Sequence, residues 1–293
     1  YTDTHRAMAQ ALLARQVLDE EGFKYLIAKA HTAADPERPT LAADLTIEDV
    51  RNHMQLLNSK LSLCDFAIRS AKHQTPPHAM TYALVNLSGD DRMTEWSTAF
   101  TPDELAYIKR LLDAIFDTYN THDAEVLALT STQALRLAKV PAGSVNTTQL
   151  EDGTQITSNA TSLTMTHAEK ILELLLEQSW FEMSANGYYT LAPRALMELR
   201  SWLFETYNDD DDNNEGGEQR IKLCAACKEI VTMGLRCPNM DCNVRLHSNC
   251  VSNLFRAQGG CEGCPTCHRT WNDPLPVGET AVTGGTRTTA ARR

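Results

Sequence analysis

Eight of the chain's nine cysteines fall between Cys224 and Cys267, in the last quarter of 293 residues. With Cys261 set aside and the one interposed histidine included, they run Cys224-x2-Cys227-x9-Cys237-x4-Cys242-x4-His247-x2-Cys250-x13-Cys264-x2-Cys267. Zinc takes four Cys or His ligands in a tetrahedron, and a Cys-x2-Cys turn brings two thiolates to one ion with backbone amides facing the sulfurs. Four such pairs suffice for two ions. The main apolar side chains of the segment are Leu223, Ile230, Leu235, Val244, Leu246, Val251, Leu254 and Phe255. They are too few to build a core, so metal binding is expected to supply much of its folding energy. With every coordination position filled by protein, no water would be activated, and the expected ions are structural. Cys261 and His268 are spare ligands, read as bystanders unless a shifted loop lets one replace a neighbour. An odd cysteine count, a nearly cysteine-free body and no recognisable signal peptide argue against a disulfide framework.

This ligand order resembles the RING and PHD classes of zinc module, in which the pairs interleave, first with third and second with fourth. That resemblance implies one ion on Cys224, Cys227, His247 and Cys250, and a second on Cys237, Cys242, Cys264 and Cys267. A PHD finger usually carries an aromatic residue two positions before its final pair, where this chain has Glu262. A RING usually has proline inside that pair, and here it reads Cys264-Pro265-Thr266-Cys267. The balance favours RING.

The remaining sequence must position this module. At 42% hydrophobic residues the chain is expected to fold into two or three domains. No run of about eighteen apolar residues occurs, so no membrane span is expected. The net charge of −11 argues against a protein that coats itself in nucleic acid, although much of it is local, in the acidic stretch around Asp209 to Glu218. A cytosolic or nuclear setting is expected.

Thr2 to Arg15 and Val17 to Ala30 read as amphipathic helices, and Ile47 to Ser70, with Val50, Met54, Leu57, Leu61 and Ile68, as a long third one. Met80 to Leu87 reads as a strand, ending at a Ser88-Gly89-Asp90 turn. Helices followed by a strand pair give the winged-helix order. The order recurs: Thr101-Pro102-Asp103-Glu104 is a strong helix start, Leu127 to Ala138 a second helix and Thr166 to Gln178 a third. Trp180 to Met183 and Tyr188 to Leu191 then form a hairpin about Asn186-Gly187. Ala192 to Tyr207 reads as one closing helix. Lys139 to Ser162 lacks periodicity and reads as a mobile insertion. Cys64, between Leu63 and Phe66, reads as a buried small hydrophobe.

The expected architecture is mainly α with small β wings, as tandem winged-helix domains followed by a zinc-stapled RING-like domain. Its boundaries are 1–90, 91–207 with the insertion 139–162, an acidic linker 208–220, the RING-like domain 221–273, and a disordered tail 274–293. Thr166 to Gln178 carries Lys170 as its only Lys or Arg against Glu169, Glu173 and Glu177, unlike a DNA-reading helix. DNA contact is therefore expected to be indirect or weak, and protein docking is the expected role of both winged helices.

Taken together, His5-Arg6 with the Gln10-Ala11-Leu12 helix, the strand Tyr82 to Leu87, the helix end from Leu174 to Phe181, and the zinc run through Cys267 and Trp271 resemble one family. It is the first of the non-SMC elements, the RING-like subunit of the SMC five/six complex, and the resemblance covers about residues 2 to 275. It implies a nuclear, chromosome-associated subunit whose winged helices dock a MAGE-type winged-helix partner, and the pair joins a kleisin that bridges the SMC heads. It also implies a RING-type ubiquitin ligase stimulated by that partner. Such a ligase does no covalent chemistry and so has no catalytic residue; it holds a charged ubiquitin-conjugating enzyme in a reactive conformation. The contact positions by resemblance to RINGs are Ala226, where a bulky apolar residue is usual, Phe255, Pro265 and, beside His268, Arg269. The alternative is a non-catalytic, zinc-stabilised scaffold in the same complex.

Overall fold

In the computed structural model, residues 1–87, 99–140, 145–149, 155–159, 161–208 and 219–284 are described, with backbone alone for 145–149, 155–159 and 283–284. The Ser88-Gly89-Asp90 turn, most of the acidic stretch, and residues 285–293 lie outside them. The chain divides into two compact units, Tyr1–Asp90 with Ala192–Ser201, and Asp91–Leu191 with Trp202–Arg293.

In the first unit, Thr2 and His5 form a capping box at the start of α1 (Asp3–Arg15). Strand β1 (Val17–Asp19) leads into α2 (Glu20–Ala34), whose first turn is capped by the Asp19 carboxylate accepting from the Gly22 N–H. Thr46 and Asp49 cap α3 (Ile47–Leu61) reciprocally. The expected helix Ile47 to Ser70 ends there. Asp65 takes a left-handed conformation at φ 57°, and β2 (Phe66–Lys72) follows, paired antiparallel with β3 (Met80–Asn86). The Asn58 side chain both accepts from the Ile68 N–H at 2.7 Å and donates to the Ile68 carbonyl at 2.9 Å, tying helix to strand. Cross-strand pairing thus overrides the helical spacing of Leu61 and Ile68. Cys64, in the connecting turn, is exposed rather than buried.

The sheet order is β1-β3-β2. Residues alternate between its faces. Tyr82 and Leu84 join Met8, Leu12, Phe23, Ile27, Val50 and Leu57 in the main core, whereas Ala83 and Val85 pack with Met197 on the other face.

In the second unit, the Thr101–Glu104 capping box starts α4 (Pro102–Asp113). Leu127 to Ala138 is not one helix. Leu129–Thr130 forms β4, and Thr130, capped reciprocally with Gln133, starts α5 (Ser131–Arg136). Pairing of Leu129 with Tyr189 keeps the first residues extended. The insertion contains a β-hairpin, β5 (Val145–Gln149) with β6 (Gln155–Asn159). Helix α6 (Met165–Glu177) and the wing β7 (Phe181–Met183) and β8 (Tyr188–Leu191) follow as expected, in a sheet of order β4-β8-β7. Gly187, at φ 78°, makes the turn.

The closing helix is in two pieces. Helix α7 (Pro193–Glu198) lies in the first unit and supplies the Met197 cover, while most of α8 (Arg200–Tyr207) belongs to the second. In α8, Tyr207 donates to Asp113 Oδ1 at 2.8 Å. Beyond it come β9 (Gly234–Arg236), β10 (Arg245–Leu246) and α9 (Val251–Ala257). The expected disordered tail begins instead with β11 (Leu275–Val277), which pairs with β9, and α10 (Thr280–Gly284). Edge pairing orders a segment whose composition alone reads as disordered. The Glu279 carboxylate accepts from Ser184 and Asn186 of the wing turn.

Candidate metal centres

The eight expected ligands converge in two groups, Cys224, Cys227, His247 and Cys250, and Cys237, Cys242, Cys264 and Cys267, with all ligand atoms of each group within 4.8 Å of one another. Cys227 Sγ lies 3.2 Å and Cys250 Sγ 4.0 Å from His247 Nδ1. Cys237 and Cys267 sulfurs are 3.5 Å apart, and those of Cys242 and Cys264 3.6 Å. A tetrahedron with zinc–sulfur bonds near 2.3 Å has edges of about 3.8 Å. The spacings match that figure and are far above the ~2.05 Å of a disulfide. Cys261 and His268 stand outside both groups.

Short strands and turns place these atoms. The pairing of β9 with β10 sets Cys237 and His247 just beyond opposite ends of one ribbon. Its closeness depends on Gly234, where a Cβ would lie 2.2 Å from the Leu246 carbonyl oxygen. His247 Nε2 donates to the Ile230 carbonyl at 3.1 Å, which leaves Nδ1 facing the sulfurs. The Asn239 N–H points at Cys237 Sγ, 3.4 Å away. A hydrogen bond from Cys227 holds the Cys224 thiol far below its ordinary range, to about 3, and the same contact, reinforced by burial, pushes Cys227 up. Burial pushes Cys237 up to about 12, while the Arg269 N–H draws Cys267 down to about 7. Two all-Cys/His sets with thiolate-stabilising amides and an oriented imidazole fit two zinc ions.

Ala226 and Arg269 are exposed, Pro265 is partly exposed, and Phe255 is half-buried with its ring edge-on to Trp271 at 6.1 Å.

Glu125 is the residue that sequence reasoning missed. It projects from the loop after α4, where it bridges Asn120 in a tight turn closed by Thr121 and Ala124. Arg245 grips it in a two-point fork, Nε to Oε2 at 2.7 Å and Nη2 to Oε1 at 2.5 Å, and Lys222 Nζ sits 2.5 Å from Oε1. Arg236 lies 3.7 Å from Oε1 and donates to the His122 carbonyl at 2.8 Å. Burial would raise the Glu125 carboxyl, but the hydrogen bonds and charge of Arg245, then Lys222, hold it down to about 2. Two arginines inside a zinc-ligand run were the available signal, since their charges need a buried partner once the knuckles close.

The fold and site define a class: a tandem winged-helix body finished by a two-centre, RING-like zinc module. A family model described as "Nse1 non-SMC component of SMC5-6 complex" matches residues 5–199, and one described as "RING-like domain" matches residues 224–267. The chain belongs to the Nse1 family. It is 24% identical over 275 residues to the human Non-structural maintenance of chromosomes element 1 homolog, covering 94% of this chain and 86% of that protein. The Bos taurus homolog matches with the same identity and coverage, and that of Xenopus laevis at 23% over 195 residues, 67% of this chain and 58% of that protein. Among solved structures, a chain of an "Nse1-Nse3-Nse4 complex" superposes with a TM-score of 0.66 at 19% identity, covering 92% of this chain and 97% of that one.

Proposed function

We propose that this protein is the RING-like docking subunit of a nuclear SMC five/six chromosome-maintenance and DNA-repair complex, and a partner-stimulated RING-type ubiquitin ligase. Its winged helices bind a MAGE-type subunit, and the pair joins a kleisin leading to the SMC heads. The observation that carries the docking role is the likeness over nearly the whole length, 92% and 97% of the two chains, to a chain solved in an Nse1-Nse3-Nse4 complex. We keep the domain boundaries of the sequence reading, with residues 192–201 moved to the first winged helix and residues 274–284 counted with the RING-like module they pair with.

The two ions are structural zinc, one on Cys224, Cys227, His247 and Cys250, the other on Cys237, Cys242, Cys264 and Cys267. They fix the helix that presents Phe255 and the loop that presents Pro265 and Arg269 to a ubiquitin-conjugating enzyme. Positioning a reactive thioester is the whole of such a catalyst's task.

The exposed Ala226 favours a second reading, a zinc-stabilised scaffold without ligase activity, because an anchor of the enzyme-binding surface is missing there. A ubiquitin-discharge assay separates the two, run on the zinc-loaded chain alone and with its MAGE-type partner, with Pro265→Ala as control. Partner-dependent discharge that the control loses establishes the ligase. No discharge from a folded, two-zinc protein in any combination leaves the scaffold.

A further inference from the structure

The Glu125 network reaches both metal centres through a single residue. The Arg245 side chain, clamped by Glu125, donates through Nη1 to the carbonyls of Cys242 at 2.7 Å and Val244 at 2.9 Å, next to the second centre. Its backbone carbonyl accepts from the Ala225 N–H at 2.9 Å, and Arg245 pairs with Cys224 in a parallel bridge, inside the first knuckle of the first centre. His247 lies two residues on. The Glu125 carbonyl in turn accepts from the Gly278 N–H at 2.8 Å, just past β11, which pairs with β9 between the knuckles. Arg236 and Arg245 are among the most deeply buried large side chains of the protein, and their carboxylate is contributed by the winged helix rather than by the zinc module.

We propose that Glu125 is a positioning residue for both metal centres: by clamping Arg245 it holds one knuckle of each in place and couples retention of the two ions to the second winged helix. The zinc module is then not an independent bead. It keeps its metals because the adjoining domain supplies the carboxylate that its buried Arg245 grips. This rests on the clusters holding zinc, so the metal content of the unsubstituted chain is measured first. About two zinc per chain is the starting point, and a value near zero overturns both readings at once.

The test is the rate of zinc release from the full chain to a coloured chelator, well below the melting temperature. Outer-shell partners of metal ligands are worth about 10- to 100-fold in metal affinity. The unsubstituted chain is expected to release both ions in one phase, and Glu125→Gln at least about 10-fold faster. Arg245→Lys, which keeps the charge but cannot hold the Glu125 fork and both carbonyls together, should fall between them. A purely structural Glu125 would lower the melting temperature and leave release below it unchanged, and that result overturns the proposal. A second measurement needs no substitution. Removing zinc should expose the Tyr119–Ala128 amides to hydrogen exchange, including the Val126 N–H bonded to the Tyr119 carbonyl. Protection there equal with and without metal would equally overturn it.

Discussion

With the inserted β5–β6 hairpin set aside, the two winged helices share one element order, helix, strand, helix, helix, strand, strand, and differ in how they are finished. In the first, the outer face of the sheet is closed by α7, with Met197 against Ala83 and Val85, so four successive residues of β3 are buried from two sides. Closure there is apolar and tolerant of substitution, since any apolar side chain of similar volume would serve. In the second, the loop after α4 ends in a buried carboxylate clamped by Arg245, Lys222 and Arg236. Ions so placed gain little over a well-packed apolar contact, but losing one partner strands the others, at about 3–5 kcal/mol. The first closure supplies stability; the second fixes which arrangement of knuckle and loop is allowed.

Metal removal is expected to have the largest effect, because it strikes the second unit, which holds all eight ligands, and not the first. Structural zinc in small modules is worth on the order of 10–16 kcal/mol of apparent binding free energy. Chelation should therefore abolish hydrogen-exchange protection in β9, β10 and β11 and leave α1 to β3 protected. Loss of protection in α1 to β3 as well would show that the first unit does not stand on its own core. Next come substitutions that strike each unit separately. Leu57→Ala, in the fully buried core of the first unit, should cost about 2–5 kcal/mol with metal content unchanged. Gly234→Ala drives a Cβ into the Leu246 carbonyl and should cost about 3 kcal/mol, within the upper range for overpacking, with faster zinc loss. Denaturant titration read alongside metal analysis distinguishes the two patterns; the same pattern from both variants would erase the contrast.

How much of this was legible in the sequence follows from the range of the interactions. The ligand spacing, the Thr101–Glu104 capping box and the Asn186-Gly187 turn are local, and each is found where the sequence puts it. The failures are all long-range. Ile68 fits the stripe of the expected helix Ile47 to Ser70 yet lies in β2 and pairs with Leu84 of β3, and Leu129 continues a helical pattern yet pairs with Tyr189. Leu275 to Val277, at the start of the expected tail, form a strand because β9 offers them an edge. Glu125 lies 120 positions from Arg245, and nothing in its neighbourhood marks it out from other acidic loop residues. Cys64 erred through the same helix: once Asp65 turns the chain, the residue before it faces solvent.

The smallest expected effect tests whether the first unit is as purely apolar as its sheet suggests. Where α1, α2 and α3 meet, His31 Nε2 lies 2.9 Å from His53 Nε2, and His5 stacks on His53 with ring centres 5.6 Å apart. Two imidazole nitrogens at that distance share one proton and cannot both carry their own. Burial, then the nearby His53, lowers the pKa of His31 below its ordinary 6.5, and burial followed by His53 does the same for His5. A histidine lowered on folding binds more protons in the unfolded chain than in the native one, so stability rises with pH across the window. The stabilisation of this cluster is present above about pH 6.5 and is lost as the pH falls from there toward the lower folded values. Hydrogen exchange at Ile27 and Leu57, measured from pH 8 down to pH 5 and corrected for intrinsic rates, should show the first unit opening more readily on acidification. His31→Gln should flatten that dependence while leaving zinc content alone. An unchanged slope in the variant would place the acid sensitivity in other titratable groups and leave this histidine cluster with no part in the unit's stability.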